Sequence, residues 1–311
     1  MNLIADREKV AKLSISLADM EVITGRSLWG DARVRFMRNK AAVFSVFALT
    51  LIVMFSFLAP FVAVWSNEEI DWSLIGKAAE LGAPSIANGH FFGTDNLGRD
   101  LFSRVAQGSQ ISLMVGIIGA GIAVIVGTLY GATAGYFGGK VDSIMMRIVD
   151  VLMSIPYMFI LILLLVIFGR SVIMLFVGIG LISWLDMSRI VRGQTLTIKN
   201  KEFVEAAEAM GVGGFTIIWR HIVPNLMGVV VVYATLLVPA MIITESFISF
   251  LGLGVQEPST SWGALIAEGA GTMGYGTIWQ LLFPLFFFVV ALFSFFFIGD
   301  GLRDALDPKD R

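Results

Sequence analysis

Cysteine is absent from this chain of 311 residues, and histidine occurs only twice. Without thiols the chain cannot form disulfides, a cysteine-ligated zinc site or a thiolate nucleophile. His90 and His221 lie in different segments, which argues against a histidine-rich metal site. We therefore expect no metal centre in this chain.

Charged residues are also scarce. They make up 15% of the chain, and 57% of residues are hydrophobic, whereas soluble domains carry about 25% charged residues. The apolar residues gather in runs of roughly 20, the length at which a helix crosses a hydrocarbon core of about 30 Å. Because backbone polar groups find no water in that core, such runs must be helical. The composition predicts an all-α integral membrane protein.

Six membrane spans are predicted, at residues 41–64, 111–136, 151–168, 171–185, 226–250 and 278–298. The first forty residues carry charges throughout and lack the apolar core of a signal peptide, so we expect the first span to be an uncleaved anchor. In the second span Gly127, Gly131 and Gly135 recur every four residues, which predicts a small-residue face for close helix packing. An even number of spans places both termini on one side.

The distribution of Lys and Arg predicts which side that is. Eighteen of the 22 lie in the two tails, around the segment between the second and third spans, and in the loop after the fourth span. The others, Lys77, Arg99, Arg104 and Arg170, lie in the opposite loops. Both termini are therefore expected to be cytoplasmic.

Residues 1–40 are predicted to form a cytoplasmic tail, and residues 41–311 a six-span domain. Within the tail, residues 28–40 fit an interfacial helix with Trp29, Ala32 and Phe36 on one face. A simple basic anchor explains this segment equally well. Two sizeable loops, residues 65–110 and 251–277, are predicted to face outward, and glycines mark both as irregular.

The sequence lacks a nucleotide-binding motif. Its nearest approach, residues 134–141, has Ala134 and Val141 where a P-loop requires Gly and Ser or Thr. The chain is therefore not expected to bind ATP by that route.

Transport driven by an ion gradient would require ionisable groups within the membrane. The candidates are Asp150, Asp186 and Glu245. Asp150 is expected to pair with Arg147, and Asp186 with Arg189, because each pair is three residues apart on one helix. None of the three carboxylates is predicted to lie at mid-membrane, and a structural role is expected for each.

The cytoplasmic loop at residues 191–225 is too polar to span the membrane and is strongly patterned. Two apolar stripes have the i, i+3, i+4, i+7 spacing of a helix face: Phe203, Ala206, Ala207 and Met210, then Phe215, Ile218, Trp219 and Ile222. Gly211, Gly213 and Gly214 are expected to break the first helix, and Pro224 to end the second. A docking element for another protein and a pair of membrane-surface helices both fit this pattern.

The same loop resembles the EAA loop of binding-protein-dependent ABC importer permeases. The resemblance is carried by Glu205, Ala206, Ala207 and Gly211, followed by Ile222 and Pro224. It implies that these residues couple the permease to an ATPase subunit, with the first helix inserted into a groove on that subunit.

Three further stretches resemble the dipeptide, oligopeptide and nickel branch of that family. They are residues 250–263, residues 299–308, and an outward motif after the first span formed by Gly93, Thr94, Asp95, Gly98, Arg99 and Asp100. The outward motif is a candidate receptor-docking site, although Thr94 and Asp95 also suit a turn at a helix start. Residues 25–29 point more narrowly to oligopeptide permease C subunits. Glu257 and Gln110 depart from the branch, where proline and arginine are common.

The resemblance implies an ABC type I importer permease fold in the bacterial inner membrane. The implied partners are a homologous permease, two ATPase subunits that bind ATP and Mg²⁺, a periplasmic or extracellular peptide-binding protein, a peptide and the lipid bilayer. Nucleic acid is not expected, and this chain would carry out no bond chemistry. The alternatives are the same machine for dipeptides, murein peptides or nickel, a membrane enzyme, and an ion-coupled transporter with broken helices and a mid-membrane charge.

Overall fold

The computed structural model describes residues 28–306, and long helices dominate it. Within that range, β-structure is limited to three isolated bridges in the loop after the first span. We number the helices α1 Leu28–Arg38, α2 Lys40–Val62, α3 Ala78–Leu81, α4 Leu101–Phe137, α5 Gly139–Met153, α6 Tyr157–Phe168, α7 Val172–Ile198, α8 Glu202–Ala209, α9 Gly214–Ile217, α10 Val223–Phe250, α11 Trp262–Thr272 and α12 Trp279–Leu306. Most of the predicted tail, the motif positions 25–27 and residues 307–311 lie outside the described residues.

Within residues 28–306, five helical segments are long and apolar enough to cross a membrane: α2, α4, α7, the continuous helix Gly214–Phe250, and α12. The pair α5 and α6 becomes a sixth if it is counted as one span, and the two helices are bent by 77°. The predicted all-α membrane fold is confirmed.

The third predicted span, residues 151–168, is not one straight helix. The chain breaks between α5 and α6, at Ser154, Ile155 and Pro156. Proline has no N–H to donate, and its ring disfavours helical backbone at the residue before it. The break at Ile155 therefore follows from Pro156. The prediction of one span rested on the apolar run alone and did not take this proline into account.

Several helices extend beyond their apolar stretches. Asp100 caps α4 by accepting the Ser103 N–H at 2.9 Å, so the predicted loop 65–110 includes the first turns of α4. Similarly, α7 continues to Ile198, and much of the predicted loop 191–225 is helical. Hydropathy locates the lipid-crossing part of a helix and misses its polar ends.

Close packing of α4 against α7 forms the centre of the bundle, as the glycine spacing predicts. A Cβ atom on Gly127 would lie 2.6 Å from Met187, and one on Gly135 would lie 2.7 Å from Thr195. At Gly131 it would overlap the backbone oxygen of Ser188. Only glycine allows the two backbones to approach this closely.

The two ends of the bundle are distinct. Helices α4 and α12 both begin beside Thr94, whose carbonyl accepts a hydrogen bond of 2.8 Å from Gln280. At the other end, Gly301 of α12 packs against Ala42 of α2 and Phe36 of α1. The first and last described helices therefore meet on one side, and we call the Thr94 side the outward end.

Candidate functional site

The segment that resembles the EAA loop is helix α8 followed by a tight glycine turn. Gly211 has a φ of +77°, and its N–H bonds to the Glu208 carbonyl at 2.9 Å. The Val212 N–H bonds to the Ala207 carbonyl at 3.1 Å. This pair of hydrogen bonds is the Schellman ending, which favours glycine because other residues are strained at positive φ. A side chain on Gly211 would point into open space, so strain would arise from the backbone alone.

Helix α8 buries a different face from the predicted stripe. Val204 and Ala207 point inward and join an apolar cluster with residues of the next helix, including Ile217 and Ile222. The other predicted stripe residues, Phe203, Ala206 and Met210, are exposed, as is Glu205. The stripe therefore divides between two faces, with Ala207 alone on the inner one.

The exposed side of this element is unusually apolar. Met210 is 75% exposed and Phe215 73%. Trp219 lies beside Phe215 along an open hollow of about 500 Å³ that also includes Arg220. We call Phe203, Glu205, Ala206, Met210, Phe215 and Trp219 the coupling face. Large apolar side chains exposed together near a charged one are typical of a protein-binding site.

Contacts with the end of α4 hold the coupling face in place. The Tyr136 hydroxyl donates a hydrogen bond of 3.0 Å to Glu208. The ring of Phe137 meets Phe215 edge-on, with 5.4 Å between centroids. Gly214 leaves room for Tyr136, since a Cβ there would lie 2.9 Å from its ring. A shift of α4 would therefore be transmitted to α8.

Pro224 does not end the second helix, contrary to prediction. The chain passes from α9 through a π-helical turn, Ile218–Ile222, directly into α10. The Val223 N–H reaches back five residues to the Ile218 carbonyl. Because the hydrogen-bond pattern is already wider in this turn, the helix continues although Pro224 has no N–H to donate. The turn also places Ile222 in the core and Pro224 at the surface.

Asp95 organises the outward motif. Its carboxylate accepts the backbone N–H groups of Leu97 at 2.8 Å and Arg99 at 2.9 Å. It also pairs with the Arg99 side chain at 2.7 Å and with Arg104 at 2.6 Å. Asp95 itself is buried, so it shapes the loop from within and presents little surface to a partner.

The two arginines connect the first outward loop to the second. Arg104 forms two hydrogen bonds with Glu268 of α11, at 2.7 and 3.0 Å, and Arg99 pairs with Glu257 at 2.9 Å. Burial of the Arg99 guanidinium lowers its pKa, but attraction to Asp95 and Glu257 outweighs this effect, so the pKa of Arg99 lies above its usual value. Glu257, which departs from the branch pattern, therefore has a structural partner here.

The rest of the outward motif forms turns and a helix cap. Gly93 and Gly98 both have positive φ, and a Cβ on Gly93 would lie 2.7 Å from the Trp279 ring nitrogen. Thr94 is buried, and its carbonyl accepts from the Trp279 ring at 3.2 Å. Asp100, and neither Thr94 nor Asp95, caps the following helix.

Ion pairs near the bundle's other end differ from those predicted. Arg189 pairs with Asp150 at 2.5 Å, and Arg192 with Asp142, where the second contact is 2.6 Å. Both pairs join α7 to α5, so they connect helices instead of staying within one. Asp186 has no ion pair within residues 28–306.

A family model, described as the inner membrane component of binding-protein-dependent transport systems, matches residues 127–311. This range is more than half of the chain and contains the coupling face. The chain belongs to this family. A second model, the N-terminal transmembrane domain of oligopeptide transport permease C, matches residues 27–79 of the permease. The predicted family and the inner-membrane location are confirmed.

Known relatives cover almost the whole permease. It is 58% identical over 289 residues to the oligopeptide transport system permease protein OppC of Escherichia coli K12, covering 93% of this chain and 94% of that protein. It is 44% identical over 281 residues to the dipeptide transport system permease protein DppC of Bacillus subtilis 168, with coverages of 90% and 86%. A chain of the inward-facing MetNI methionine ABC transporter superposes with a TM-score of 0.53 at 17% identity, covering 64% of this permease and 94% of that chain. This last likeness supports the type I permease fold.

The partners of the outward motif were not identified from the sequence. Glu268 lies far along the chain from Arg104, and no local spacing links the two. Gln280 was missed for the same reason, since it is 186 residues from Thr94. His90 is close to Asp100 in sequence, but the irregular loop between them has no periodicity that predicts the 3.0 Å contact of its ring with that carboxylate. Among the described residues, no three His, Cys, Asp or Glu side chains are grouped so that they could hold a metal ion.

Proposed function

We propose that this chain is the transmembrane permease subunit of an ATP-driven oligopeptide importer. The observation that carries the proposal is the coupling face, an exposed and largely apolar surface that includes Glu205 and is held by contacts with the end of α4. Identity to oligopeptide permease proteins over nearly the full length supports the choice of cargo. Dipeptides are the second candidate, favoured by the 44% identity to a dipeptide permease protein.

Two ATPase subunits would provide the energy. One of them would receive the coupling face, with Glu205, Ala206 and Gly211 of the α8 segment inserted in its surface. Ile222 and Pro224, in the turn that follows, would fix the position of that segment. ATP and Mg²⁺ would bind to the ATPases, because this chain lacks a P-loop. The permease itself would be non-catalytic.

The passage would form between this chain and a homologous permease, with both termini in the cytoplasm. A peptide-binding protein would deliver cargo at the outward end. There the Asp95 cluster would keep the two outward loops in one arrangement, and the rims of those loops would contact the receptor. Closure of the ATPases would pull on α8, and Tyr136 would transmit the movement to α4.

The proposal is tested by reconstituting the chain with a homologous permease, two ATPases and the peptide-binding protein in liposomes. We expect uptake of a labelled tripeptide only with ATP, and none when this chain is omitted. The purified chain alone should not bind nucleotide. Uptake driven by an ion gradient without ATP would show instead a secondary transporter.

A further inference from the structure

A hollow of about 440 Å³ lies beside the hinge between α5 and α6, where α7 and α10 also meet. Its walls are largely apolar and include Leu152, Ile155, Ile160, Leu181, Leu185 and Leu237. Ser183, Asp186, Thr244 and Tyr157 supply its polar side-chain groups. An apolar cavity of this size with a few convergent polar groups is typical of a small-ligand site.

The hollow lies beside the middle parts of α7 and α10. Asp186 is roughly 21 Å along α7 from its first residue and roughly 18 Å from its last, at 1.5 Å per residue. The neighbouring Met187 packs against Gly127, well inside the apolar part of α4. Leu237 and Ala240 also lie near the middle of α10. The sequence placed Asp186 at the end of a shorter span, and α7 continues beyond it to Ile198.

Asp186 is the notable group in this hollow. It is exposed in the isolated chain, and no ion pair or side-chain hydrogen bond engages it within residues 28–306. By contrast, Asp142 and Asp150 on α5 both have arginine partners on α7. Within a membrane bundle, a charged group among apolar walls faces a water-filled cavity or a partner and avoids lipid.

The side chains of this hollow offer hydrogen-bond acceptors. The Ser183 hydroxyl already donates to the Ile179 carbonyl at 3.0 Å, and the Thr244 hydroxyl to the Ala240 carbonyl at 2.9 Å. Their oxygens are therefore left to accept, as is the Asp186 carboxylate. A group that carries positive charge and several N–H donors complements them, and an ammonium has three.

On the basis of the function proposed above, we infer that this hollow is a peptide subsite of the passage, in which Asp186 binds the free α-ammonium of the peptide. The α-ammonium is common to peptides of any sequence, so it suits a transporter that handles many of them. The apolar walls would take the first side chain without selecting its shape. A lysine or arginine of the homologous permease is the competing occupant.

Uptake by the complete reconstituted transporter tests the role of the charge. Asp186→Asn should reduce trialanine uptake about tenfold, whereas Asp186→Glu should retain most of it. Asp304→Asn, an exposed carboxylate change at the end of α12, is the matched control and should leave uptake unchanged. Normal uptake by Asp186→Asn overturns the subsite alone. Absence of uptake by the unsubstituted transporter overturns the proposed function as well.

Occupancy is tested with a single cysteine, because the chain has none of its own. Leu181→Cys places a thiol on the wall of the hollow. In the purified complex, trialanine should slow its alkylation at least threefold, and N-acetyl-trialanine should not. Adding Asp186→Asn should abolish the protection. Equal protection by both peptides overturns ammonium recognition. Separation of the two permeases on Asp186→Asn, without any protection by peptide, shows that Asp186 pairs with the partner chain.

Discussion

Individual charged residues in this permease divide into those that shape the fold and those that face a partner. Asp95 satisfies two backbone N–H groups and two arginines inside the outward loops. Glu205 lies exposed on the coupling face with no such network. Both belong to family motifs, so the motif alone does not distinguish the two roles. The burial of each side chain does distinguish the two roles. A change at buried Asp95 should reduce stability, whereas a change at exposed Glu205 should not.

Asp95→Ala should destabilise the protein by about 3–5 kcal/mol, because it removes the buried carboxylate that pairs with Arg99 and Arg104 and leaves two backbone N–H groups without their acceptor. Arg104, only 2% exposed, keeps Glu268 as its remaining partner. Glu257→Gln is the matched control. Glu257 is 60% exposed, and exposed ion pairs contribute about 0–1 kcal/mol. Thermal unfolding of the purified transporter measures the difference. Equal midpoints for the two variants would show that the Asp95 cluster is dispensable.

Glu205→Lys should reduce peptide uptake more than tenfold while membrane abundance stays normal. The side chain is exposed, so folding is unaffected, but reversing its charge against a docked ATPase opposes binding by about 2 kcal/mol or more. Lys199→Ala, at the end of α7 and outside the coupling face, should have little effect. Uptake, abundance and ATPase co-purification are measured together. Normal uptake by Glu205→Lys would mean that α8 is only a surface helix.

At the scale of whole elements, the apolar runs predicted where the chain crosses the membrane but not where its helices end. The position of α2 was predicted closely because apolar residues fill most of that helix, and the start of α12 was predicted to within one residue, although α12 continues to Leu306, beyond the predicted end at residue 298. The start of α4 was missed because the cap at Asp100 allows its polar first turns to be helical, and the end of α7 was missed because the polar turns after Asp186 are helical through packing. The ion pairs between the two outward loops, Arg99–Glu257 and Arg104–Glu268, could not be predicted, since they join residues far apart in sequence. Pro156 and Pro224 show that the effect of a proline depends on its surroundings. Pro156 interrupts a helix, whereas the helix continues through Pro224 after a π turn.

Packing of α4 against α7 gives an element-scale prediction. Gly131→Ala should lower the melting temperature of the transporter and its amount in the membrane, because the new methyl group would overlap the Ser188 backbone. Gly121→Ala, on the same helix, has no atom within 4 Å of the added group. It should be neutral or slightly stabilising, by up to about 1 kcal/mol, since alanine favours helices over glycine. Similar behaviour of the two variants would indicate that α4 and α7 are not in close contact.

For the whole molecule, the two ends of the bundle have separate tasks. One end carries the loops joined by Asp95, Arg104 and Glu268, and the other carries the coupling face and the meeting of α1, α2 and α12. Long helices connect them, and α4 alone extends about 55 Å at 1.5 Å per residue. The Asp186 hollow lies between the ends, on the hinge of the bent pair. Movement at the coupling face would therefore reach α4 through Tyr136, and α4 packs against α7, which carries Asp186.

The orientation of the bundle is the last prediction. The structure places Ile86 and Met210 at opposite ends, both highly exposed, at 86% and 75%. Because basic residues gather around Met210, that end should be cytoplasmic. Single cysteines can be introduced at either position in this cysteine-free chain. A membrane-impermeant maleimide added to intact spheroplasts should label Ile86→Cys, and it should label Met210→Cys only after the cells are broken. Denatured protein provides the control for reactivity. The reverse labelling pattern would place the coupling face outside the cell, away from any cytoplasmic ATPase, and would overturn both the orientation and the proposed coupling role.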